Sequence, residues 1–381
     1  MLQTKENKKE AVQGRVLSQQ EFEKAKVLAG QIRELVLLRD EFVKQGKLDP
    51  EFVLPSDLWD ATLKLFSYCF DPSFEIVNTW RLHTYPFKGS YPMYVHSNEH
   101  NPPPANLLAR YLHHTNGLPD ELIVRPPNMC AELGWQVNGG IASWDTLIDQ
   151  FYIGQLYFSG ALDYLKKRKS ISILEIGGGY GGFAAILKKV LTPQNYVMVD
   201  LPETLLFPTV YLGVTQGESV DHDSIYNGKK ELALRPGKFS FVPNFLIKEV
   251  EKNTNMKFDL VINISSFGEM TSPQVRRYAE FVHNVLKDDG LFYESNGQDM
   301  SGSVPPIIAE KFKYHTSLID NQKLWHKQER ITEELRKSRP DRSEFLGKFK
   351  LSEKVVKTLG SKKAASRSMV REWIKILLDR F

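Results

Sequence analysis

A glycine-rich turn between two apolar runs constrains this chain more than any other feature. The turn lies in residues 171–203, ISILEIGGGYGGFAAILKKVLTPQNYVMVDLPE. Residues 171–176 form a short apolar run typical of a buried parallel strand, and residues 183–190 repeat apolar side chains at helical spacing. Glycines at such a junction let the backbone turn sharply and leave no Cβ between the chain and a ligand. We therefore predict a strand–loop–helix–strand unit whose loop holds a ligand.

The second strand of this unit ends in an acid. Residues 196–199 are apolar and are followed by Asp200 and Leu201. A carboxylate at the tip of the second strand is positioned to bind both hydroxyls of a ribose. The unit therefore predicts a nucleoside-cofactor site.

The glycines alone do not identify the cofactor, because Gly177, Gly179 and Gly182 also satisfy the dinucleotide pattern G-x-G-x-x-G. Glu175 immediately precedes them, where a carboxylate can face the cationic amino-acid end of S-adenosylmethionine. A dinucleotide site binds the anionic pyrophosphate at the helix N-terminus, and a carboxylate beside that position would not help to bind an anion. These features favour S-adenosylmethionine over NAD.

An NAD-dependent oxidoreductase is the alternative from a different class of enzyme. One common form of such enzymes has a Tyr-x-x-x-Lys pair on a helix late in the sheet. Tyr226 and Lys230 have that spacing, but they lie in a polar stretch before the third predicted strand. That position disfavours the oxidoreductase hypothesis.

Four motifs together resemble those of the class I S-adenosylmethionine-dependent methyltransferases. They are LEIGGGYGG at 174–182, MVDLPE at 198–203, FDLVINISSFGEM at 258–270 and LKDDGLFYESN at 286–296. Over about residues 130–300 the chain resembles most closely the bacterial sugar O-methyltransferases of surface polysaccharide synthesis. The resemblance implies an α/β fold with a doubly wound, mostly parallel, Rossmann-like sheet, S-adenosyl-L-methionine as cofactor, and a sugar or sugar-containing acceptor.

Ligands of open α/β sheets bind beyond the carboxyl ends of the strands. The predicted cofactor-binding residues at those ends are Glu175, Gly177, Gly178, Gly179, Tyr180, Gly181, Asp200, Leu201, Asn244 and Asn263. Many relatives carry an acid for the adenine amino group where this chain has Asn244. Asn263 replaces an acid that metal-using relatives often have, so we predict no metal ligand.

Methyl transfer to a hydroxyl requires a general base within hydrogen-bond reach. Glu269 follows the fourth predicted strand, in the loop that should face the methyl group, and is the first candidate. His315, from the C-terminal segment, is the second. The run Asp221-His222-Asp223 resembles metal ligands, but adjacent loop residues seldom all point at one ion.

Residues 134–152, GWQVNGGIASWDTLIDQFY, mix aromatic and amide side chains just before the cofactor unit. Such a surface suits a sugar or a nucleoside, and ordinary packing explains the tryptophans equally well. The predicted substrate-binding residues are Trp135, Asn138, Tyr152 and, later in the chain, Asn296.

The pattern predicts three regions: a mainly α-helical cap over residues 1–140, the cofactor domain over 141–325 and a basic helical extension over 326–381. Helices are predicted for 22–44, from Ser56, for 105–114, for 120–133 with an interruption at Pro126-Pro127, for 143–168, and near residues 331, 351 and 366.

Charge is uneven along the 381 residues. From Arg336 to Arg380 there are 14 Lys or Arg against 5 Asp or Glu, a net +9, whereas the whole chain is +4. A basic tail can contact an anionic membrane surface, a nucleic acid or another anionic partner, and a solvated helical face is the alternative explanation. A methyltransferase acting on nucleic acid or another small molecule therefore stays open.

Composition and termini indicate an ordinary globular chain. Cys69 and Cys130 are far apart, which suggests neither a zinc site nor a disulfide framework. The N-terminus lacks the apolar core of a signal peptide, and no apolar run approaches the length of a membrane span, so we expect a cytoplasmic enzyme.

Overall fold

A seven-stranded mixed sheet lies at the centre of the computed structural model, which describes residues 14–84, 105–132, 134–137, 140–253, 256–296, 304–319 and 322–340. The strands are β1 (Trp135–Val137), β2 (Gly140–Ala142), β3 (Ser172–Ile176), β4 (Asn195–Asp200), β5 (Lys238–Pro243), β6 (Phe258–Ile264), β7 (Leu286–Ser295), β8 (Tyr314–Ser317) and β9 (Lys323–His326). The sheet order is β5-β4-β3-β6-β7-β9-β8. The five strands from β5 to β7 are mutually parallel, β9 is antiparallel to both of its neighbours, and β1 and β2 form a separate hairpin.

Helices cover both faces of this sheet. They are α1 (Gln19–Lys44), α2 (Pro50–Val53), α3 (Asp57–Lys64), α4 (Phe74–Asn78), α5 (Ala105–Thr115), α6 (Trp144–Phe158), α7 (Ala161–Lys166), α8 (Gly182–Leu191), α9 (Pro202–Thr215), α10 (Ile247–Lys252), α11 (Ser272–Val285), α12 (Val304–Ala309) and α13 (Arg330–Lys337).

Alternate residues of each strand enter opposite cores. Ile173 packs into a core shared with α1, α8 and α9, while its neighbour Leu174 packs into a core shared with α10, α11 and α12. Strands buried on both faces read as continuous apolar runs, as β3 does. The predicted doubly wound, mostly parallel, Rossmann-like α/β fold is confirmed.

The N-terminal helices pack directly onto the sheet layer. Helix α1 begins at a capping box in which Ser18 and Glu21 bond each other's backbone N–H, and it runs alongside α9. The Trp80 indole N–H donates to the Phe207 carbonyl across 3.1 Å. Residues of this region and of the sheet therefore share one hydrophobic core. The division into three regions stays a prediction.

Two helix predictions in the first half of the chain were wrong. Residues 120–133 hold a short 3-10 turn at Asp120–Leu122, because Pro126 and Pro127 cannot donate the hydrogen bonds of a helix. The segment 143–168 is two helices, α6 and α7. They are separated at Gly160, whose φ is +83°. A Cβ added at this position would collide with the Leu335 carbonyl, so only glycine fits here.

The strand pattern also differs from the expectation at three places. Residues 287–290, Lys-Asp-Asp-Gly, have the composition of a turn, yet they belong to the long strand β7. The β1–β2 hairpin and β9 were not predicted, because each has three or four residues and no clear alternation.

The described part of the C-terminal region ends in α13, whose Ile331 and Leu335 are buried in the main core. Residues from 341 onward, with most of the basic tail and the helices predicted near 351 and 366, lie outside the described residues. Within the described residues, none of the helices has the length and hydropathy to span a bilayer.

Candidate cofactor site

A cavity opens beyond the carboxyl ends of β3, β4, β5 and β6, where an open α/β sheet binds its ligands. Five of the predicted cofactor residues and the predicted base line it: Gly177, Gly179, Asp200, Leu201, Asn244 and Glu269. The sheet supplies one wall. The opposite wall comes from the N-terminal region, through residues 52–59.

The glycine-rich loop needs its glycines for close packing as much as for ligand access. Gly177 has a φ of +80°, and a Cβ there would collide with the Ser266 side chain. A Cβ on Gly178 would meet the Met198 thioether, and one on Gly182 would meet the Tyr180 ring. The loop is therefore tightly fitted between β4 and the loop that follows β6.

Asp200 lies at the tip of β4 with its carboxylate at the cavity wall. Its Oδ1 accepts a hydrogen bond from the Leu201 backbone N–H at 2.8 Å. Desolvation by burial raises the pKa of Asp200 to about 6, and the nearby Glu269 carboxylate acts in the same direction. A half-buried carboxylate with a raised pKa gains from a ligand that donates hydrogen bonds to it.

Asn244 follows β5 and is 6% exposed. Its amide Nδ2 donates to the carbonyls of Phe52 and Val53, at 3.2 and 3.4 Å. Carbonyls accept hydrogen bonds only, so the amide nitrogen must face them and the oxygen must face away. Within the described residues Oδ1 has no hydrogen-bond partner, and Asn244 lines the cavity. It is therefore a buried acceptor available to a ligand donor.

The loop after β6 is held by a network of amides. Asn263 Nδ2 donates to the Ile176 carbonyl at 2.9 Å, and its Oδ1 accepts from Asn296 Nδ2 at 2.9 Å. Asn296 Oδ1 accepts from the Gly268 backbone N–H at 3.1 Å. Ser265, in the same loop, has a φ of +64°, a strained conformation for a residue with a Cβ. The network fixes the loop that carries Glu269.

Glu269 stands across the cavity from Asp200, in this loop. Its Oε2 accepts a hydrogen bond from the Trp59 indole N–H of α3 at 2.9 Å. Burial raises the pKa of Glu269, and the Trp59 bond lowers it in part. A carboxylate with a raised pKa suits proton uptake near neutral pH.

The other five predicted cofactor residues do not line this cavity. Glu175 is 3% exposed and accepts from the Tyr196 hydroxyl at 2.6 Å, on the core side of β3 that faces α1. Gly178 and Gly181 pack against side chains of β4 and α9. Tyr180 turns towards the N-terminal region, and Asn263 braces the loop described above.

The predicted substrate residues have separate positions. Trp135 is buried in a small core around the β1–β2 hairpin. Tyr152, on α6, lies 5.8 Å from the Phe183 ring and 6.3 Å from the Tyr293 ring, centre to centre. Asn296 uses both amide hydrogens and its oxygen within the protein. Asn138 lies outside the described residues.

His315 lies on β8, the edge strand, and does not line the cavity. Its ring packs on Trp325 at 4.8 Å between centres. In the described part of the chain one group has metal-ligand spacing, Asp221-His222-Asp223. Asp221 already forms ion pairs with Arg235 and Lys238, and the group is at the surface, away from the cavity.

Sequence reasoning missed the N-terminal wall of the cavity. Phe52, Leu54, Ser56 and Trp59 line it, although they precede the glycine loop by more than a hundred residues. The available signal was the proline-containing break before the Ser56 cap, which places an irregular segment between helices. Pattern alone could not show which cavity that segment covers.

Fold and site together define a Rossmann-like α/β protein with a ligand cavity at the carboxyl ends of its parallel strands. No protein-family model matches the chain, and no curated protein matches it.

Solved structures with partial similarity include several methyltransferases. A Streptococcus mutans protein described as a SAM-dependent methyltransferase is 10% identical over 45% of this chain and 48% of its own, with a TM-score of 0.30. MnmC2 from Aquifex aeolicus is 17% identical over 48% and 65%, with a TM-score of 0.31. Human methyltransferase-like protein 13, in complex with SAH, is 13% identical over 49% and 91%, with a TM-score of 0.31. This chain thus spans about half the length of the Streptococcus protein, and similarity at this level assigns no activity.

Proposed function

We propose that the chain is an S-adenosylmethionine-dependent O-methyltransferase that methylates a hydroxyl of a sugar or a sugar-containing intermediate. The observation that carries the cofactor assignment is the pair formed by Asp200 and Asn244. They lie at the carboxyl ends of adjacent parallel strands, line one cavity and offer two kinds of hydrogen-bond acceptor to it. An adenosyl group has donors that match both, the ribose hydroxyls and the adenine amino group.

Asp200 would hold the ribose. Two hydroxyl donors would stabilise its ionised form, which burial disfavours in the ligand-free protein. Leu201 supplies a backbone N–H to the same carboxylate and so keeps it oriented towards the cavity. This part of the site recognises a nucleoside without distinguishing among cofactors.

The Oδ1 atom of Asn244, which is buried and has no hydrogen-bond partner within the described residues, would accept a hydrogen bond from the adenine amino group. Phe52 and Tyr278 line the same cavity and provide aromatic surface for a flat base. Because Nδ2 is held by two backbone carbonyls, the amide cannot turn over without losing both bonds. The site therefore favours a base with an exocyclic donor.

Glu175 would face the ammonium group at the amino-acid end of the cofactor, as the motif resemblance implies. It does not line the cavity and is bonded by Tyr196, so this assignment stays a prediction. The glycine loop would contact the same amino-acid end of the cofactor, since Gly177 and Gly179 line the cavity with backbone and no side chain.

S-adenosylmethionine supplies an electrophilic methyl group when bound. The residue of this chain that would assist transfer is Glu269, which lies at the cavity with one oxygen fixed by Trp59. We propose that Glu269 takes up the proton of the acceptor hydroxyl. His315 lies away from the cavity, and this placement favours Glu269 as the base.

The sugar class of acceptor is supported by the motif resemblance over residues 130–300. Tyr152, half-buried beside Phe183 and Tyr293, offers aromatic surface near the glycine loop. The oxidoreductase alternative gains no support, because neither Tyr226 nor Lys230 lines the cavity. A methyltransferase acting on nucleic acid or another small molecule is the competing proposal.

Transfer of a radiolabelled methyl group from S-adenosylmethionine tests the acceptor. The purified chain is incubated with sugar nucleotides, polysaccharide intermediates and transfer RNA in parallel. We expect label in a sugar fraction, stable to protease and nuclease, and lost with Glu269→Gln. Label in RNA or protein, with none in any sugar fraction, would reject the sugar assignment and keep the methyltransferase assignment.

A further inference from the structure

A carboxyl group that the proposed reaction does not use is buried at the carboxyl end of β7. It belongs to Glu294, which is 1% exposed and does not line the cofactor cavity. In the sheet, Glu294 is paired with Asn263 of β6 on one side and with Lys323 of β9 on the other. Burying a carboxyl group is costly unless hydrogen bonds satisfy it, so its partners indicate what it does.

The main partner of Glu294 is Asn296, two residues later. Glu294 Oε1 accepts hydrogen bonds from the backbone N–H and from Nδ2 of Asn296, both at 2.9 Å. Its Oε2 accepts from the Trp325 indole N–H at 3.5 Å. Burial raises the pKa of Glu294, while the bonds from Asn296 and Trp325 and the charge of Lys323 lower it in part. The carboxyl group therefore holds Asn296 through two short bonds.

These bonds also fix which way the Asn296 amide points. Its Nδ2 donates to Glu294 Oε1 and to Asn263 Oδ1, each at 2.9 Å, and its Oδ1 accepts from the Gly268 backbone N–H at 3.1 Å. An amide turned over would set its oxygen against two acceptor oxygens and its nitrogen against an N–H donor. Glu294 and Asn263 thus keep the Asn296 oxygen directed at Gly268.

Gly268 immediately precedes Glu269, and both lie in a short 3-10 turn. The first N–H groups of such a turn have no acceptor within it. Here the N–H of Phe267 donates to Asn263 Oδ1 at 3.3 Å. The N–H of Gly268 donates to Asn296 Oδ1 at 3.1 Å. Two bonded amides therefore hold the start of the turn that ends in Glu269.

We propose that Glu294 is a positioning residue for Glu269, an inference that rests on the proposed role of Glu269 as the base. Glu294 fixes Asn296, Asn296 fixes the N–H of Gly268, and Glu269 is the next residue in the chain. Without the Glu294 acceptor the Asn296 amide could turn over and release the turn. The 2.9 Å bond from Trp59 to Glu269 would then weaken, because only one side of it would be held.

A purely structural role for Glu294 would lower stability without affecting Glu269. Glu294→Gln keeps an acceptor oxygen within reach of Asn296, whereas Glu294→Met has a similar length and no such acceptor. Asp259→Asn is the matched control. Asp259 is also a 1% exposed carboxyl residue of the sheet, but it lies at the amino end of β6 and has ion pairs of its own.

Nuclear magnetic resonance of the full chain with ¹⁵N-labelled tryptophan tests the proposal without cofactor or acceptor. Of the six tryptophans, Trp59→Phe identifies the Trp59 indole signal. That signal should titrate with Glu269 above pH 4.5, because burial raises the pKa of this carboxyl, and Glu269→Gln should abolish the titration. In Glu294→Met we expect the midpoint about 0.5–1 pH unit higher, since a weakened indole bond no longer lowers the pKa. Glu294→Gln and Asp259→Asn should keep the wild-type midpoint.

Methyl-transfer assays provide a second measurement. Glu294→Met should lower kcat by about tenfold or more, because a displaced catalytic group costs rate steeply. Affinity for S-adenosylhomocysteine should change far less, and Glu294→Gln should retain most of the activity. A wild type that transfers no methyl group would reject the proposed function, and the Trp59 titration would still decide whether Glu294 positions Glu269.

An unchanged Trp59 midpoint in folded Glu294→Met would overturn the proposal, and so would an equal shift in Asp259→Asn. Circular dichroism melts verify the fold of each variant. Glu294 would act only through Asn296, so Asn296→Ala replaces Glu294→Met if that variant does not fold. The Trp59 midpoint should rise in Asn296→Ala too, and a midpoint equal to that of the wild type would overturn the proposal.

Discussion

The indole of Trp59 donates a 2.9 Å hydrogen bond to the carboxylate of Glu269, joining two residues 210 positions apart. Trp59 belongs to the N-terminal region and Glu269 to the loop beyond β6. The bond joins two residues that line the proposed cofactor cavity. It also lowers the pKa of Glu269, the proposed base. The N-terminal region is therefore part of the site.

Trp59→Phe should raise the pKa of Glu269, because the indole bond lowers it in the native protein. The base must be ionised to act, so the acid limb of the pH–kcat profile should move to higher pH. The measurement is initial rate against pH with saturating cofactor. An acid limb at the same pH in both proteins would mean that Glu269 is not the titrating base.

Asp200→Asn should stabilise the ligand-free protein at neutral pH while weakening cofactor binding. The folded-state pKa of about 6 is above the usual 3.8, so the native state binds protons more tightly than the unfolded chain. Stability from this carboxyl is present below pH 3.8 and is lost as pH rises through 6. At pH 7 the free energy of unfolding has lost at most about 3 kcal/mol, because each pKa unit between 3.8 and about 6 corresponds to about 1.4 kcal/mol.

Thermal melts of the wild type and Asp200→Asn at pH 4 and pH 7 measure this effect. The variant should melt at higher temperature at pH 7 and gain little at pH 4. A lower melting temperature at pH 7 would show that the carboxylate is stabilised by the fold and not strained by it.

Asn244→Leu should weaken binding of S-adenosylhomocysteine by about five- to fiftyfold, the factor expected for a lost buried hydrogen bond of 1–2 kcal/mol. Asn244→Asp keeps an acceptor but sets its second oxygen against the Phe52 and Val53 carbonyls, so its affinity should fall below that of the wild type and stay above that of Asn244→Leu. Calorimetry on both variants provides the comparison. Equal affinities of the two variants would remove Asn244 from the adenine site.

Gly177→Ala should be more damaging than Gly237→Ala. Both glycines have positive φ, +80° and +73°, so both substitutions carry the same backbone strain of about 1–2 kcal/mol. A Cβ at Gly237 meets nothing within 4 Å, whereas one at Gly177 collides with Ser266. Gly177→Ala should therefore show the larger loss of unfolding free energy in denaturant and the weaker cofactor binding in a titration. Matching behaviour of the two variants would contradict the tight fit of the loop.

Arg39→Met should destabilise the fold by about 3–5 kcal/mol, the range for breaking a buried ion pair from one side. The Arg39 guanidinium donates to both Glu203 oxygens, at 2.6 and 2.7 Å, and its side chain is 4% exposed. Urea unfolding of Arg39→Met, Glu203→Gln and the double variant forms a mutant cycle. We expect the double variant to lose less than the two single losses together, and strict additivity would show that the pair is not coupled.

Short-range signals in the sequence were sufficient for the central sheet and for placing half of the predicted cofactor residues at the cavity. The apolar run of β3, the glycines after it and Asp200 lie within 30 residues, so spacing alone places them around one loop. Asn244 was predicted at the cavity because it follows an apolar strand, and the carboxyl ends of parallel strands meet at one edge.

The rest depends on contacts between distant parts of the chain. Trp59 reaches Glu269 through packing of α3 that no periodicity encodes. Asn263 has the position of a ligand-binding residue, yet its amide is used to hold the loop, because Asn296 and Ile176 are close enough to bond it. Whether a polar side chain at a strand end faces the ligand or the protein is decided by neighbours that the local sequence does not specify.

Titration calorimetry of the purified chain with S-adenosylmethionine, S-adenosylhomocysteine and NAD tests the central claim most directly. The account predicts that both adenosyl compounds bind one per chain, that NAD does not, and that Asp200→Ala weakens both while the fold is retained. Binding of NAD without binding of either adenosyl compound would contradict it and would make the protein a dinucleotide-binding enzyme.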